Sequence, residues 1–313
     1  MKRIFFLSLA MLLCTAGLSI AASRLFGAPA PKTDAETVIT VLTDGEPREV
    51  TMADYLPGVV AAEMPASFEP EALKAQAVAA RTYILDRAAH PPDAHKSAAV
   101  CSDPACCCAY LSDEALRENW GGDYRKNLRR IRNAVRETDG QTLRYEGEPI
   151  RAVFHSSSGG KTEASAALWG EVPYLVSVSS PGTAADVPGL ETTVTVSAAD
   201  AAQALGVTLP EDAAQWIGET RRDEAGRVET IVIGGRTLSG AEARSLFSLR
   251  STNFTAEVLG GALVFHVTGS GHGVGMSQYG ANVMAQQGAG YAEILAHYYP
   301  GTALGPDGAN SPE

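Results

Sequence analysis

Residues 269–281 read Gly-Ser-Gly-His-Gly-Val-Gly-Met-Ser-Gln-Tyr-Gly-Ala, and five of these thirteen positions are glycine. No other stretch of the chain constrains its folding as tightly. Alternating glycines leave one strand face without side chains and tolerate positive φ, so the backbone can approach a neighbour that a Cβ would exclude. The expectation is a tight turn whose bare N–H groups face a ligand. His272, Ser277, Gln278 and Tyr279 supply polar side chains beside it.

The 313 residues carry a formal net charge of −11, with 45% hydrophobic and 7% aromatic residues. That balance permits a globular core. It argues against nucleic acid or anionic headgroups as main partners, since both need a basic face. Lys2 and Arg3 precede the uncharged apolar run Ile4 to Ala22. Such a leader is either a signal peptide or a membrane anchor, close to the roughly 20 residues a bilayer core requires. The basic flank places the remainder outside the cytoplasm. Residues 23–37 read as a linker, and 304–313 as a polar tail.

The residues between read as one α+β catalytic unit over 38–303, with early and late helices and a β-rich middle. Val38–Leu42 has strand composition. Thr51 to Ala62 reads as a helix capped by Thr51, although Pro57 moves its expected start later. A long helix runs from Pro70 to His90. Strands are expected at Tyr174–Val178, Thr193–Val196, Glu229–Ile233 and Leu263–Val267, with a short helix at Ser197–Leu205. Residues 185–262 are a candidate inserted subdomain.

Glu63 is the only charged residue between Asp54 and Glu69 and ends an apolar helix. Apolar surroundings raise a carboxyl pKa, which suits a general acid; solvent exposure at the helix end is the competing reading. On the long helix, Leu73, Ala77, Ile84, Leu85 and Ala88 form an apolar stripe that contains Arg81. A guanidinium there needs an anionic partner, for which Glu63 and a substrate carboxylate are candidates.

Four of the five cysteines lie at 101, 106, 107 and 108, shortly after His95. This set can bind zinc tetrahedrally, or Cys101 can form a disulfide with one of the triplet. Further on, Ala152 to Glu163 reads AVFHSSSGGKTE. It lacks the first glycine of a phosphate loop and any nucleophile elbow. A strand entering a Ser/Gly turn fits it, with Ser157 and Lys161 facing a polymer.

Four strings together carry a resemblance: VVAAEMPASFEPEALKAQAVAARTY at 59–83, the His95–Tyr110 segment, AVFHSSSGGKTE, and GSGHGVGMSQYGA with AEILAHYYPGT behind it. In this order they resemble the stage II sporulation protein D family, whose members cleave peptidoglycan glycan strands. The resemblance spans roughly residues 38 to 302. It implies that Glu63 is the catalytic acid, that Arg81 belongs to the active site, and that Lys161 lies on an active-site loop. It implies a zinc ion, structural in role, on His95, Cys101 and Cys107. The chain departs from the family pattern where Cys106 replaces His and Cys108 replaces Gln, which leaves two spare thiols.

The implied activity is that of a lytic transglycosylase acting between N-acetylmuramic acid and N-acetylglucosamine during sporulation and engulfment. Its preferred strands would have been stripped of stem peptides by a partner amidase, with Arg81 or Lys161 pairing with the exposed lactyl carboxylate. The alternative within the family is a non-catalytic, glycan-binding amidase enhancer. A zinc amidase or peptidase built on His95 and the cysteines fits less well, since Cys-rich zinc sites are usually closed.

Overall fold

The computed structural model describes residues 32–103 and 106–306. The leader at 1–22 lies outside the described residues. Among those described, no helix is long and apolar enough to cross a membrane.

The chain opens with an antiparallel hairpin, Val38–Thr43 against Glu46–Thr51. Val100–Cys101 joins its other edge in parallel, setting Cys101 opposite Leu42. Helix α1, Met52–Glu63, follows directly, and Thr51 accepts from the Asp54 N–H at 3.2 Å as its N-cap. Pro57 sits inside this helix rather than before it, so the later start expected from the proline does not occur. The capped first turn holds the helix together although Pro57 offers no N–H to it.

Helix α2, Pro70–Ala89, is the centre of the first core. The expected single apolar stripe is incomplete. Ala75, Gln76, Val78, Ala79 and Ala80 are buried alongside Leu73, Ala77 and Ile84, while Ala88 is exposed. A helix rich in alanine can be enclosed on most sides because its neighbours approach closely, and α2 packs against seven other elements. Two of these are α1 and the strand Gln141–Tyr145.

Helices α3, Asp113–Trp120, and α4, Tyr124–Glu137, were not expected from the sequence. Helix α4 buries Leu128, Ile131, Ala134 and Val135 against α1 and α2. Its Arg130 donates to the carbonyls of Ala66 at 2.7 Å and Phe68 at 2.6 Å, fixing the turn that follows Glu63.

A second core gathers Ala201 to Val267. It holds α5, Ala198–Leu205, and α6, Gly240–Leu246, with two three-stranded antiparallel sheets. One sheet orders Phe254–Leu259, Ala262–Thr268 and Glu191–Ser197; the other, Ile217–Arg222, Val228–Ile233 and Arg236–Ser239. The expected strand at Tyr174–Val178 does not form. There the Val178 N–H is taken by the Thr162 hydroxyl at 2.8 Å, so a side chain replaces the acceptor a ladder would need. Helices α7, Gln278–Gln286, and α8, Tyr291–Tyr298, return to the first core. The strand Ala303–Pro306 then pairs with Gln141–Tyr145, so residues 304–306 belong to a sheet and not to a tail.

Arg81 has neither of its expected partners. It is 1% exposed, and its Nε and Nη2 donate to the two carboxylate oxygens of Asp34 at 2.6 and 2.7 Å. The carbonyls of Gln141 and Val135 accept from the same guanidinium at 3.1 and 3.3 Å. Asp34 lies in the stretch read as linker, and it is buried in a turn. Burial made the guanidinium seek a carboxylate, and this forked pair satisfies it.

Candidate active site

Four of the glycines at 269–281 adopt positive φ, as the alternating pattern requires, but what they approach is protein. Gly273, at φ +88°, lies against the Arg227 guanidinium, where a Cβ would come within 2.6 Å of Cζ. At Gly275 a Cβ would collide with the Val153 carbonyl. The string is therefore stitched onto the segment after Val153. Ser157 and Ser270 exchange backbone hydrogen bonds at 3.1 and 2.8 Å, and Met276–Ser277 runs parallel to Phe154–His155. Bare N–H groups aimed at a ligand are not what the glycines provide. They let two loops lie in contact, and that contact fixes the start of α7.

Ser277 caps α7 by accepting from the Gly280 N–H at 3.2 Å. Gln278, the first residue of the helix, is buried and aimed back across the molecule. Its Nε2 donates to Glu63 Oε2 at 3.0 Å. The other carboxylate oxygen, Oε1, accepts from the Ala109 N–H at 2.8 Å. The segment carrying Ala109 is held beside α1 by Tyr110, whose ring stacks on Tyr55 at 4.8 Å and covers Gly58, where any Cβ would strike it. Burial pushes the Glu63 carboxyl above its ordinary range, and the two donated hydrogen bonds oppose that rise. No arginine contributes to this balance.

Glu63 opens onto a cleft of about 490 Å³. Tyr83, Phe154, Trp169, His272 and the cysteines at 106–108 share its walls, and among the described residues Glu63 is its only carboxylate. Trp169 is 48% exposed, with its ring 5.2 Å from that of His272. An exposed indole at a cleft is a stacking surface for a sugar ring. Burial holds the His272 imidazole down at about 4, so it is neutral at neutral pH. Its Nδ1 accepts from the Val274 N–H at 3.1 Å.

The other residues expected to meet substrate are placed differently. Lys161 extends to the Glu224 carbonyl at 3.1 Å. Ser157 is buried in the contact between the loops. Tyr279 packs edge-on against Phe68 at 5.0 Å. None of these three, nor Arg81 or Ser277, lines the cleft beside Glu63. His272 does, and Gln278 reaches the acid itself.

Ligand atoms of His95, Cys101, Cys106 and Cys107 all lie within 4.8 Å of one another. His95 Nε2 is 3.1 Å from Cys106 Sγ and 4.0 Å from Cys107 Sγ, and the two sulfurs are 3.9 Å apart. All four described cysteines are free thiols. One nitrogen and three sulfurs this close together could hold a metal ion. Cys106 thus completes the set formed with His95, Cys101 and Cys107. Cys108 stands outside it, buried near Glu63, and burial raises its thiol well above the usual range.

Comparison of the sequence with known proteins shows its relatives. A family model described as stage II sporulation protein matches residues 45–145. A stage II sporulation protein D of Bacillus amyloliquefaciens is 43% identical over 258 residues, covering 82% of this chain and 74% of that protein. The protein of the same name from Bacillus subtilis (strain 168) is 41% identical over 259 residues, with the same coverage of 82% and 74%. An amidase enhancer of Bacillus subtilis (strain 168) is 31% identical over 307 residues, covering 80% of this chain and 40% of that protein. The chain belongs to the stage II sporulation protein D family.

Trp169 and Ala109 have no part in the expected substrate or ligand sets, whereas Cys106 is one of the thiols the sequence already offers to a metal. One of only three tryptophans in a sequence with 7% aromatics was the available signal for the first. A backbone N–H such as that of Ala109 leaves no mark in sequence.

Proposed function

We propose that the protein is a peptidoglycan lytic transglycosylase that cleaves glycan strands between N-acetylmuramic acid and N-acetylglucosamine during sporulation. The observation that carries this reading is a single carboxyl group, raised by burial and held by two hydrogen bonds, in a cleft with no second carboxylate among the described residues. Ordinary glycoside hydrolysis uses two carboxyl groups. A transglycosylase can work with one. Glu63, protonated, gives its proton to the glycosidic oxygen as the bond from C1 breaks. The resulting carboxylate then takes the proton of the muramoyl C6 hydroxyl, whose oxygen closes on C1. The product is a 1,6-anhydro ring, no water is consumed, and the acid is restored. Ala109 and Gln278 hold the carboxyl in place through both halves, and both donate to its charged form.

His95, Cys101, Cys106 and Cys107 would hold a zinc ion of structural role. All four protein ligands are supplied, so no coordination position remains for substrate. Cys107 lies two residues before Ala109, so a metal there would steady the N–H that orients Glu63. Residues 38–303 would form the catalytic unit with 185–262 as an insertion, a division supported by the separate second core. The N-terminal run would place the unit outside the cytoplasm, with an amidase preparing its substrate.

The amidase-enhancer relative supports a second reading, in which the cleft binds glycan without cutting it. Glu63→Gln separates the two. It keeps the shape of the cleft and removes only the transferable proton. A folded Glu63→Gln protein that still releases soluble fragments from glycan strands at the wild-type rate would exclude Glu63 as the acid.

A further inference from the structure

A net charge of −11 conceals one strongly basic surface. Helix α4 carries Arg125, Arg129, Arg132 and Arg136, spaced by four, three and four residues. That spacing aligns them on one face, and all four are exposed. They border a groove of about 470 Å³ with Tyr124 and Leu128. Among the described residues, none of the four makes an ion pair; Arg136 donates to the neighbouring Asn133 amide oxygen at 3.0 Å. The single carboxylate of the helix, Glu137, is engaged by Lys74 at 2.8 Å. Like charges at these spacings destabilise a helix unless an anion lies across them.

We infer that this arginine stripe is a docking surface for a linear polyanion, and specifically for the peptide-free glycan strand. This rests on the proposed activity for the identity of the strand, but not for the stripe itself. Removal of stem peptides leaves a carboxylate on each muramic acid, repeating along the polymer. Arg125 and Arg132 are two turns apart, about 10 Å, on the scale of one disaccharide. Arg129 and Arg136 repeat that interval. Guanidinium groups bind carboxylates through paired hydrogen bonds, and a row of them favours an extended chain over a single small anion.

A membrane fits less well. An interfacial helix needs apolar side chains turned outward, and none of the large exposed hydrophobic residues lies on α4. The helix is also tied to the acid, because Arg130 holds the turn immediately after Glu63. A strand seated on the stripe would be positioned relative to the cleft.

The test combines Arg125→Gln, Arg129→Gln, Arg132→Gln and Arg136→Gln in one variant, placed in a Glu63→Gln background so that strands stay intact. Binding is measured by co-sedimentation with peptide-free glycan strands, with strands whose carboxylates have been amidated, with a glycerol-phosphate polymer and with anionic lipid vesicles. Affinity for the peptide-free strands should fall by about tenfold or more in the variant, and amidated strands should bind the parent equally weakly. In the Glu63 background, cleavage of long strands should slow while cleavage of a fragment too short to reach the stripe should not. Equal binding of strands by parent and variant would overturn the inference. So would stripe-dependent binding of the phosphate polymer or vesicles without stripe-dependent binding of glycan. Stripe-dependent binding of strands that are never cleaved would sustain the docking surface and remove the proposed activity.

Discussion

Gln278 Nε2 stands 3.0 Å from Glu63 Oε2, joining residues 215 positions apart in the chain. The acid ends the first helix of the fold, and the amide begins α7 at the exit of the glycine-rich loop. Everything that fixes that loop, from its contact with Val153–Ser158 to the Ser277 cap, thereby acts on the orientation of one carboxyl group.

Glu63→Gln should lower turnover by at least about 100-fold, the usual range for loss of a general acid. Its effect on stability should change with pH. The folded-state pKa of Glu63 is raised, so the wild type is favoured while the carboxyl is protonated and loses stability as pH rises from the unfolded value through the folded one. The glutamine variant loses nothing there. Urea unfolding at pH 4 and pH 8 should therefore show the variant gaining on wild type at the higher pH. The opposite trend would mean that Glu63 is favoured as a charge.

Gln278→Ala should move the alkaline limb of the pH–activity profile upward. The Gln278 hydrogen bond opposes the rise in Glu63 pKa, so without it the carboxyl stays protonated to higher pH. Turnover at the optimum should fall by about 10- to 150-fold as orientation is lost, in line with about 1.5–3 kcal/mol for a hydrogen bond to a charged group. An unmoved limb would show that another group sets it.

Arg81→Ala should act on folding, not on substrate. Removing one member of a buried pair costs about 3–5 kcal/mol. Asp34→Ala should cost a similar amount, and the double variant much less than the sum. At temperatures where the single variants remain folded, KM for peptide-free strands should stay at the wild-type value. A raised KM in a folded Arg81 variant would restore it to substrate binding.

Purified protein should contain one zinc ion per chain. Cys106→Ser should weaken its retention, whereas Cys108→Ser should not. Metal analysis after dialysis against a mild chelator distinguishes them. Chelation should reduce activity by freeing the Ala109 segment, and equal retention of zinc by the Cys106 variant would return the site to three protein ligands.

Parts of this architecture were legible because they depend on local pattern. Thr51 with Asp54 marks the cap of α1, Pro70 marks the start of α2, and three of the six strands of the second core read directly from their β-rich composition. The apolar spacing of Leu128, Ile131 and Val135 would have disclosed α4, but its six basic residues hid that stripe in a polar segment. Arg81 was identified as needing an anion, and its partner was missed because Asp34 follows a Pro- and Ala-rich stretch with no periodicity. The glycine pattern foretold close approach without saying to what. Net charge, as a sum, could not reveal four arginines on one helical face. The apolar setting of Glu63 left burial and solvent exposure both open and only the family resemblance favoured the acid, whereas the N–H and amide that hold its buried carboxyl come from distant loops brought together only by the fold.

The most direct test of the central claim is the chemistry of the products. Wild-type protein is incubated with peptide-free glycan strands in heavy-oxygen water, and the fragments are weighed by mass spectrometry. One 1,6-anhydromuramoyl end per cut, with no heavy oxygen incorporated, is the result expected of a lone carboxyl acting as acid and then base. Reducing ends carrying heavy oxygen would contradict it, because two-carboxylate hydrolysis would require a second carboxyl group, and among the described residues the cleft around Glu63 holds only one.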